Sequence, residues 1–414
     1  MFANIKEENS RCLQCKNPSC ETVCPVNTPI KQVIALLKEN KINEAGEILF
    51  NNNPLSVVTG LICPHEDLCE GHCILNKKGN PIQFGSIEHY VSNYYLNKLK
   101  FDVKINTEKK VAIIGSGPAG LTLALTLAIK GYDITIFEAH EKIGGMLRYG
   151  IPEFRLPKSI LDKYHKILID LGVKIRPNTL IGPVLTLDDL FRDGYKSIFV
   201  ASGTWKPRKL DIKGESQGNV FFAIDYLRSP DTHTIGEKVC VIGGGNVALD
   251  SARVALRSGA KEVTVFYRRS EEDMPSSKHE IEYARFDGVN FEFNKTPVEI
   301  KDNYVNFIET EYTQDADGNK ILNNIEGSEM LYEADSVIVS ISQGPSSNIV
   351  DSTKGIKINK LGLVLIDNTG KTTKEGVFAS GDVVTGAKNV VEAVAAAKIV
   401  AETIETFMKE KYGL

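Results

Sequence analysis

The chain has 414 residues, 42% hydrophobic, 25% charged and 8% aromatic, with 49 Lys and Arg against 53 Asp and Glu for a formal net charge of −4. At roughly 150 residues per domain this length calls for two to three domains with ordinary cores, and the balanced charge offers no global field for nucleic acid. The longest apolar runs, such as VVEAVAAA, fall short of the roughly 18 to 20 residues a membrane span needs, and the opening MFANIKEENSRC has no basic-then-apolar secretory pattern. A cytoplasmic protein that engages neither membrane nor nucleic acid is expected.

Seven of the eight cysteines, Cys12, Cys15, Cys20, Cys24, Cys63, Cys69 and Cys73, fall in the first 73 residues. A disulfide framework is disfavoured where thiols stay reduced. Zinc is the stronger rival, since C-x2-C is its usual half-site. The first run, however, reads C-x2-C-x4-C-x3-C-P, close to a ferredoxin run in which the fourth cysteine serves the other cluster. Two 4Fe-4S clusters are therefore expected rather than two zinc ions. They need eight ligands and only seven thiolates are present, so a carboxylate, imidazole or amide must complete the set; His65, Glu66, Glu70, His72, Glu88 and His89 are near enough in sequence. Between the runs, Ile30, Val33, Ile34 and Leu37 share one helical face, and Ala45, Ile48 and Leu49 share another. This reads as a small helical domain around its cofactors rather than a plain helical hairpin with incidental cysteines.

After the charged, turn-like stretch from Asn106 to Lys110, the strand Val111 to Ile114 leads into Gly115, Gly117 and Gly120, an apolar helix, and a strand Ile134 to Phe137 closed by Glu138. In a dinucleotide fold the first glycine makes the tight turn, the second lets the backbone approach the pyrophosphate, and the third lets helix and strand pack closely. Glu138 stands 18 residues after Gly120, where an acid hydrogen-bonds a ribose hydroxyl. The pattern recurs as VCVIGGGNVALDSARVALRSGAKEVTVFYRRS, with Gly243, Gly245 and Ala248 in the fingerprint places and Asn246 among them. There the strand Val263 to Tyr267 ends in Arg268 and Arg269, and arginine at that point accommodates the 2′-phosphate of NADP. Two unlike fingerprints call for two dinucleotides, FAD on the first and NADPH on the second. Cys240, inside the second apolar strand, reads as a core residue, and no C-x-x-C lies near either fingerprint, so a dithiol reductase is excluded.

Together these residues resemble the small subunit of NADPH-dependent glutamate synthase and its relatives, the NADPH-side half of dihydropyrimidine dehydrogenase and the large subunit of NADH-dependent ferredoxin:NADP oxidoreductase. The resemblance covers essentially the whole chain, including IGGMLRYGIPEFRLPK (Ile143 to Lys158), FVASG (Phe199 to Gly203), MPSSKHE, SQGPSSN and GVFASGD (Gly376 to Asp382). It implies an α/β protein with two Rossmann-like dinucleotide-binding domains, the NADPH domain inserted into the FAD domain, preceded by an all-helical two-cluster domain. The implied boundaries are 1–103 for the clusters, 104–235 and 340–414 for FAD, and 236–339 for NADPH. It further implies FAD contacts from Gly145, Arg148, Gly381 and Asp382, with a helix starting near Lys388 aimed at the flavin pyrimidine end, where its N-terminus favours the negative charge of reduced flavin. Crosswise ligation follows from the same resemblance: Cys12, Cys15, Cys20 and Cys73 to one cluster, and Cys24, Cys63, Cys69 and Glu88 to the other, with His89 as the alternative to Glu88. Ala395 to Ala397 depart from relatives that carry a glycine there.

The expected activity is NADPH-dependent electron transfer through FAD and the two clusters to a partner subunit in a hetero-oligomer. Hydride transfer needs cofactor positioning rather than a titrating side chain, so no catalytic acid or base is expected. The glutamate synthase large subunit, forming glutamate from glutamine and 2-oxoglutarate, is the first partner expectation. Pyrimidine reduction and ferredoxin-linked transhydrogenation use the same module. With the chain ending after its final helix, no amidotransferase nucleophile, FMN barrel or pyrimidine site is expected within it. The rival from another class is a self-sufficient, diaphorase-like reductase whose clusters are structural and serve docking.

Overall fold

The computed structural model describes residues 4–314 and 319–414. The longer helices of the cysteine-bearing lobe are α1 (Ile30–Lys38), α2 (Ile42–Asn52), α3 (Ser56–Ile62) and α4 (Phe84–Leu96). The two apolar faces expected from the periodicity form. Ile30, Val33 and Ile34 of α1 pack with Ala45 and Leu49 of α2 and with Ile87 and Val91 of α4 in one core, with Leu37 and Ile48 at its margin. A methyl group added to Gly46 would lie 2.4 Å from Tyr95 Cβ, so α2 and α4 meet backbone to side chain at this glycine.

The chain then forms β1 (Asn106–Ile114), α5 (Pro118–Ala128), β2 (Tyr132–Phe137), α6 (Lys158–Asp170), β3 (Lys174–Arg176) and β4 (Ser197–Val200). Asn106 to Lys110, turn-like by composition, is instead the first part of β1. It is exposed, and its register against β2 slips between Asn106 and Lys110. Next come β5 (Val220–Phe222), β6 (Lys238–Ile242), α7 (Asn246–Arg257), β7 (Glu262–Tyr267), α8 (Lys278–Asp287) and β8 (Asn290–Phe293). The strands β9 (Lys295–Lys301), β10 (Tyr304–Gln314), β11 (Lys320–Asn324), β12 (Met330–Glu333) and β13 (Ser336–Val339) follow, and the chain closes with β14 (Val377–Ala379) and α9 (Val390–Tyr412).

Two parallel sheets result, ordered β14-β4-β1-β2-β3 and β5-β13-β6-β7-β8, beside an antiparallel group in which β10 pairs with β9, β11 and β12. In each parallel sheet the fingerprint strand, β1 or β6, is central. The chain leaves it toward β2 or β7 on one side and returns on the other, making the switch point at which such sheets bind ligands.

The chain divides into two compact units. One runs to Arg148 and takes in Glu153–Thr204 and Gly344–Leu414, so the cysteine lobe and the first sheet belong together. The other comprises Tyr149–Pro152 and Trp205–Gln343. This second unit includes β5, which adds to β13 at the edge of its sheet. No described helix is long and apolar enough to cross a membrane.

Gly46→Ala should overpack the α2–α4 contact at a cost of about 1–3 kcal/mol. Hydrogen exchange should speed up in α2 and α4 while the amides of β1, β2 and β4 stay protected.

Candidate functional site

The three glycines of the first fingerprint meet three different constraints. Gly115 has φ +95°, and a Cβ there would lie 2.5 Å from the Ala201 carbonyl oxygen. At Gly120 a Cβ would lie 2.0 Å from the Gly115 oxygen, the close approach of helix to strand. Gly117, capping α5, would meet nothing within 4 Å. No protein atom requires glycine there, whereas a pyrophosphate approaching the N-terminus of α5 would. The cradle therefore fits a dinucleotide.

Glu138, at the end of β2, is buried, and its Oε2 accepts the Ser116 N–H at 2.9 Å together with the Ser116 hydroxyl. Its Oε1 accepts the His140 N–H at 2.8 Å. Burial alone would raise its pKa, but these bonds from His140 and Ser116 hold it below the usual carboxylate value. Gly145, at φ +52°, would bring a Cβ within 2.8 Å of Gly117 Cα, and Gly144 N–H donates to the Ser116 carbonyl at 3.1 Å, so this segment closes over the turn. Arg148 serves the fold: Nε donates to the Ile143 carbonyl at 2.7 Å and Nη2 pairs with Asp162 at 2.6 Å.

Gly381 packs on the first turn of α5, its added Cβ 3.2 Å from Ala119 Cβ. Burial raises the pKa of the adjacent Asp382 to about 6. The final helix starts at Val390, two residues past the expected Lys388, where the Asn389 side chain accepts the Glu392 N–H at 3.0 Å. Ala393 and Ala397 are buried on its inner face, and α9 packs on α5, α3 and β14.

The second fingerprint repeats the geometry. Gly243 has φ +144° with an added Cβ 2.1 Å from the Ser340 oxygen, Gly245 faces open space at the start of α7, and Ala248 is fully buried. Gly244, unassigned by the motif, would collide with the Tyr267 ring at 2.5 Å, and Ser276 of MPSSKHE donates to its carbonyl at 2.6 Å. Beyond β7, Arg268 is exposed, while Arg269 is half-buried and its Nε is enclosed without a hydrogen-bond partner. Cys240 is fully buried, and its thiol pKa is driven up by burial, as fits a core residue.

The clustered cysteines separate into two hollows. A cavity of about 460 Å³ is lined by Cys12, Cys15, Cys20 and Cys73, with Cys69 at its wall. A tighter one is lined by Cys24, Cys63, Cys69 and Glu88. Among the described residues no three His, Cys, Asp or Glu converge as a single ion requires. Side chains distributed around a volume suit a multi-atom cluster. Burial pushes the Cys20 thiol up to about 11 and also raises those of Cys63 and Cys69. The Gln14 amide lies 3.7 Å from Cys12 Sγ, and the Thr28 hydroxyl lies 3.3 Å from Cys24 Sγ.

Glu88 is 5% exposed; burial raises its pKa to about 8, against a 3.1 Å bond to Oε1 from Thr59 Oγ1. His89 turns away and donates to the Val57 carbonyl at 3.0 Å. His65 also lines the tight hollow with Nε2 lacking a partner, and burial lowers its pKa to about 4. His72 borders the larger cavity, while Glu66 and Glu70 line neither. Two contributors had no signal in sequence: Thr59, held by Asn53 Nδ2 at 2.8 Å, and Val391 of α9, which reaches the tight hollow from the far end of the chain.

Gly117→Ala should leave the melting temperature of flavin-free protein unchanged and weaken FAD retention, whereas Gly120→Ala should lower that temperature. For Asp382 the folded pKa lies above the unfolded value, so its ionisation opposes folding from about pH 4 upward, fully so above about pH 6. Asp382→Asn should therefore raise the melting temperature of flavin-free protein at pH 8 and leave it unchanged at pH 4, as read by a thermal series across that range.

Comparison with known proteins agrees with this geometry. Residues 109–397 match the pyridine nucleotide-disulphide oxidoreductase family, and residues 2–99 match dihydropyrimidine dehydrogenase domain II, 4Fe-4S cluster. The glutamate synthase [NADPH] small chain of Escherichia coli is 34% identical over 98% of this chain and 91% of its own length. The E. coli oxidoreductase AegA is 36% identical over 96% of this chain, which spans 65% of the relative's length. In fold, Mycobacterium tuberculosis FprA in complex with NADPH aligns with a TM-score of 0.61 at 19% identity, over 73% of this chain and 85% of that one. The chain belongs to the pyridine nucleotide-disulphide oxidoreductase family, carries a 4Fe-4S domain of the dihydropyrimidine dehydrogenase type, and is a homologue of the glutamate synthase small chains.

Proposed function

We propose that this chain oxidises NADPH and delivers the electrons, through FAD and two 4Fe-4S clusters, to a catalytic partner subunit, the glutamate synthase large subunit first among candidates. The observation that carries the reading is the division of seven cysteines and Glu88 into two hollows on the same unit as the first nucleotide fold. When bound, flavin accepts a hydride and releases electrons singly, and iron–sulfur clusters conduct them one at a time.

The side chains act by holding. Gly117 and the N-terminus of α5 would receive the FAD pyrophosphate, Glu138 a ribose hydroxyl, and Gly115, Gly120, Gly145, Gly381 and Asp382 would shape the cradle, with Arg148 bracing it from behind. Gly243, Gly245, Asn246 and Ala248 would seat the NADPH pyrophosphate, and Arg268 and Arg269 its 2′-phosphate; the enclosed, unpartnered Arg269 Nε favours an anion there. Cys12, Cys15, Cys20 and Cys73 would hold one cluster, and Cys24, Cys63, Cys69 and Glu88 the other. The second hollow is the one that borders the flavin fold, since Val391 contributes to its wall. No residue is asked to donate or take a proton.

Relatives named as the beta subunits of an NADPH-Fe(3+) oxidoreductase from Geobacter sulfurreducens and of an NADP(+)-dependent formate dehydrogenase from Moorella thermoacetica support a role as one subunit of a larger assembly.

Anaerobic titration with NADPH, with NADH as control, should bleach the flavin and then produce a reduced-cluster EPR signal; bleaching with the clusters left oxidised would sink the relay. Arg268→Ala combined with Arg269→Ala should lower kcat/KM for NADPH at least about tenfold, from lost charge-assisted hydrogen bonds of about 1.5–3 kcal/mol each, and leave that for NADH nearly unchanged.

A further inference from the structure

The turn that carries the paired arginines is also rich in acids: Arg268 and Arg269 are followed by Ser270, Glu271, Glu272 and Asp273. Its backbone is pinned from several sides. The Thr310 hydroxyl of β10 donates to the Arg268 carbonyl at 2.7 Å, the Asn294 N–H to that of Arg269 at 3.1 Å, and the Tyr267 hydroxyl to that of Asp273 at 2.9 Å. Two of the acids are engaged as well. Glu271 pairs with Arg285 of α8 at 2.7 Å. Asp273 Oδ2 accepts the Ser270 hydroxyl at 2.9 Å and the Tyr312 hydroxyl at 3.1 Å. These hydroxyls, Ser270 first, keep the Asp273 carboxyl below its usual range, and the Arg269 charge is near enough to add to the effect. Tyr312, 38% exposed on β10, stands outside the core, and its ring is braced by Lys320 of β11, whose Nζ lies 5.5 Å from the ring centroid.

We propose that Tyr312 and Ser270 are positioning residues for nucleotide selectivity, holding the Asp273 carboxylate off Arg269 so that this guanidinium stays open to a 2′-phosphate. The inference rests on the NADPH reading of the second fingerprint and deepens it. A carboxylate and a phosphate monoester compete for one guanidinium face, because both accept its parallel N–H bonds. Asp273, four residues from Arg269 in a tight turn, is a tethered competitor with a high effective concentration. The two hydroxyls occupy its Oδ2 and fix it away from that face. NADH carries a hydroxyl where NADPH carries the phosphate, so it gains nothing from an open Arg269, and the restraint acts on the difference between the two nucleotides. The antiparallel group thereby takes part in recognition. Its strand β10 reaches the arginine turn through Thr310 and Tyr312, which are two residues apart and so lie on one face of the strand.

The test uses the full chain loaded with FAD and clusters. Calorimetric titration with 2′,5′-ADP probes the phosphate site, and KM and kcat are measured separately for NADPH and NADH. Tyr312→Phe should raise the Kd of 2′,5′-ADP and the KM for NADPH at least about fivefold, in line with one hydrogen bond to a charged group. Its kcat with NADPH and its kcat/KM with NADH should stay as in the parent. Ser270→Ala should act in the same direction. Adding Asp273→Asn to Tyr312→Phe should bring both constants back to within about twofold of the parent, since an amide does not compete as an anion. Asp273→Asn alone should bind 2′,5′-ADP at least as tightly as the parent. Tyr304→Phe, which removes a hydroxyl at the other end of β10, should change nothing. Unchanged 2′,5′-ADP binding in Tyr312→Phe, no rescue by Asp273→Asn, or an equal loss with NADH or in Tyr304→Phe would overturn the restraint while the NADPH reading stands. Parent protein that binds 2′,5′-ADP no better than 5′-AMP would overturn both.

Discussion

Desolvated thiols and a desolvated carboxylate are the constraint around which the N-terminal lobe is arranged. Cys63, Cys69 and Glu88 are all held where burial disfavours their charged forms, and the Thr59 hydroxyl reaches Glu88 in partial compensation. A ligated iron–sulfur cluster reverses that penalty, because its irons require the deprotonated ligands and supply the positive charge that burial otherwise denies. The apolar core formed by α1, α2 and α4 is small, so its stability and its metal chemistry are hard to separate. The flavin half takes part in the same arrangement. Lys398 of α9 donates to the Asn52 carbonyl at 2.5 Å, and Tyr164 of α6 donates to that of Pro54 at 2.6 Å, both just ahead of the helix that carries Thr59.

The two nucleotide folds show how little sequence is needed to repeat a cradle and how little to change its selectivity. In both, a strand ends in a glycine at positive φ, a second glycine faces open space, and a small third residue lets the helix close on the strand. What differs is the end of the next strand: a buried, hydrogen-bonded Glu138 in one, and Arg268 with Arg269 in the other. On the proposed assignment, the first arrangement would offer an acceptor to a ribose hydroxyl of FAD and the second would offer donors to the 2′-phosphate of NADPH.

Features governed by one or two residues were legible in the amino-acid order. The glycines fall into this class because turn, approach and packing are local demands, and so do Cys240 and the faces of α1 and α2. Features governed by tertiary neighbours were not. Adjacent residues on a helix point about 100° apart, so the contrast between Glu88 and His89 depends on the rotation of α4, which its sequence alone does not set. Asn106 to Lys110 read as a turn because charge marks exposure, and an exposed strand carries the same mark. The pairing of β5 with the inserted sheet left no mark because β5 is three half-buried residues long, too short for any periodicity. Gly244 gave no signal because the motif leaves its place free, whereas the Tyr267 ring does not.

The position of α9 bears on how such a chain comes to be assembled. The strand β14 and this helix complete the first sheet only after the whole inserted unit has been synthesised, and the helix also packs on α3 and supplies Val391 to the hollow that holds Glu88. On the ribosome the inserted unit can therefore close on itself while the flavin sheet still lacks an edge strand and the inner cysteine hollow lacks part of its wall. The inner hollow therefore gains the last part of its wall only when this helix docks. Synthesis order and the completion of the inner hollow are in this way tied to one helix.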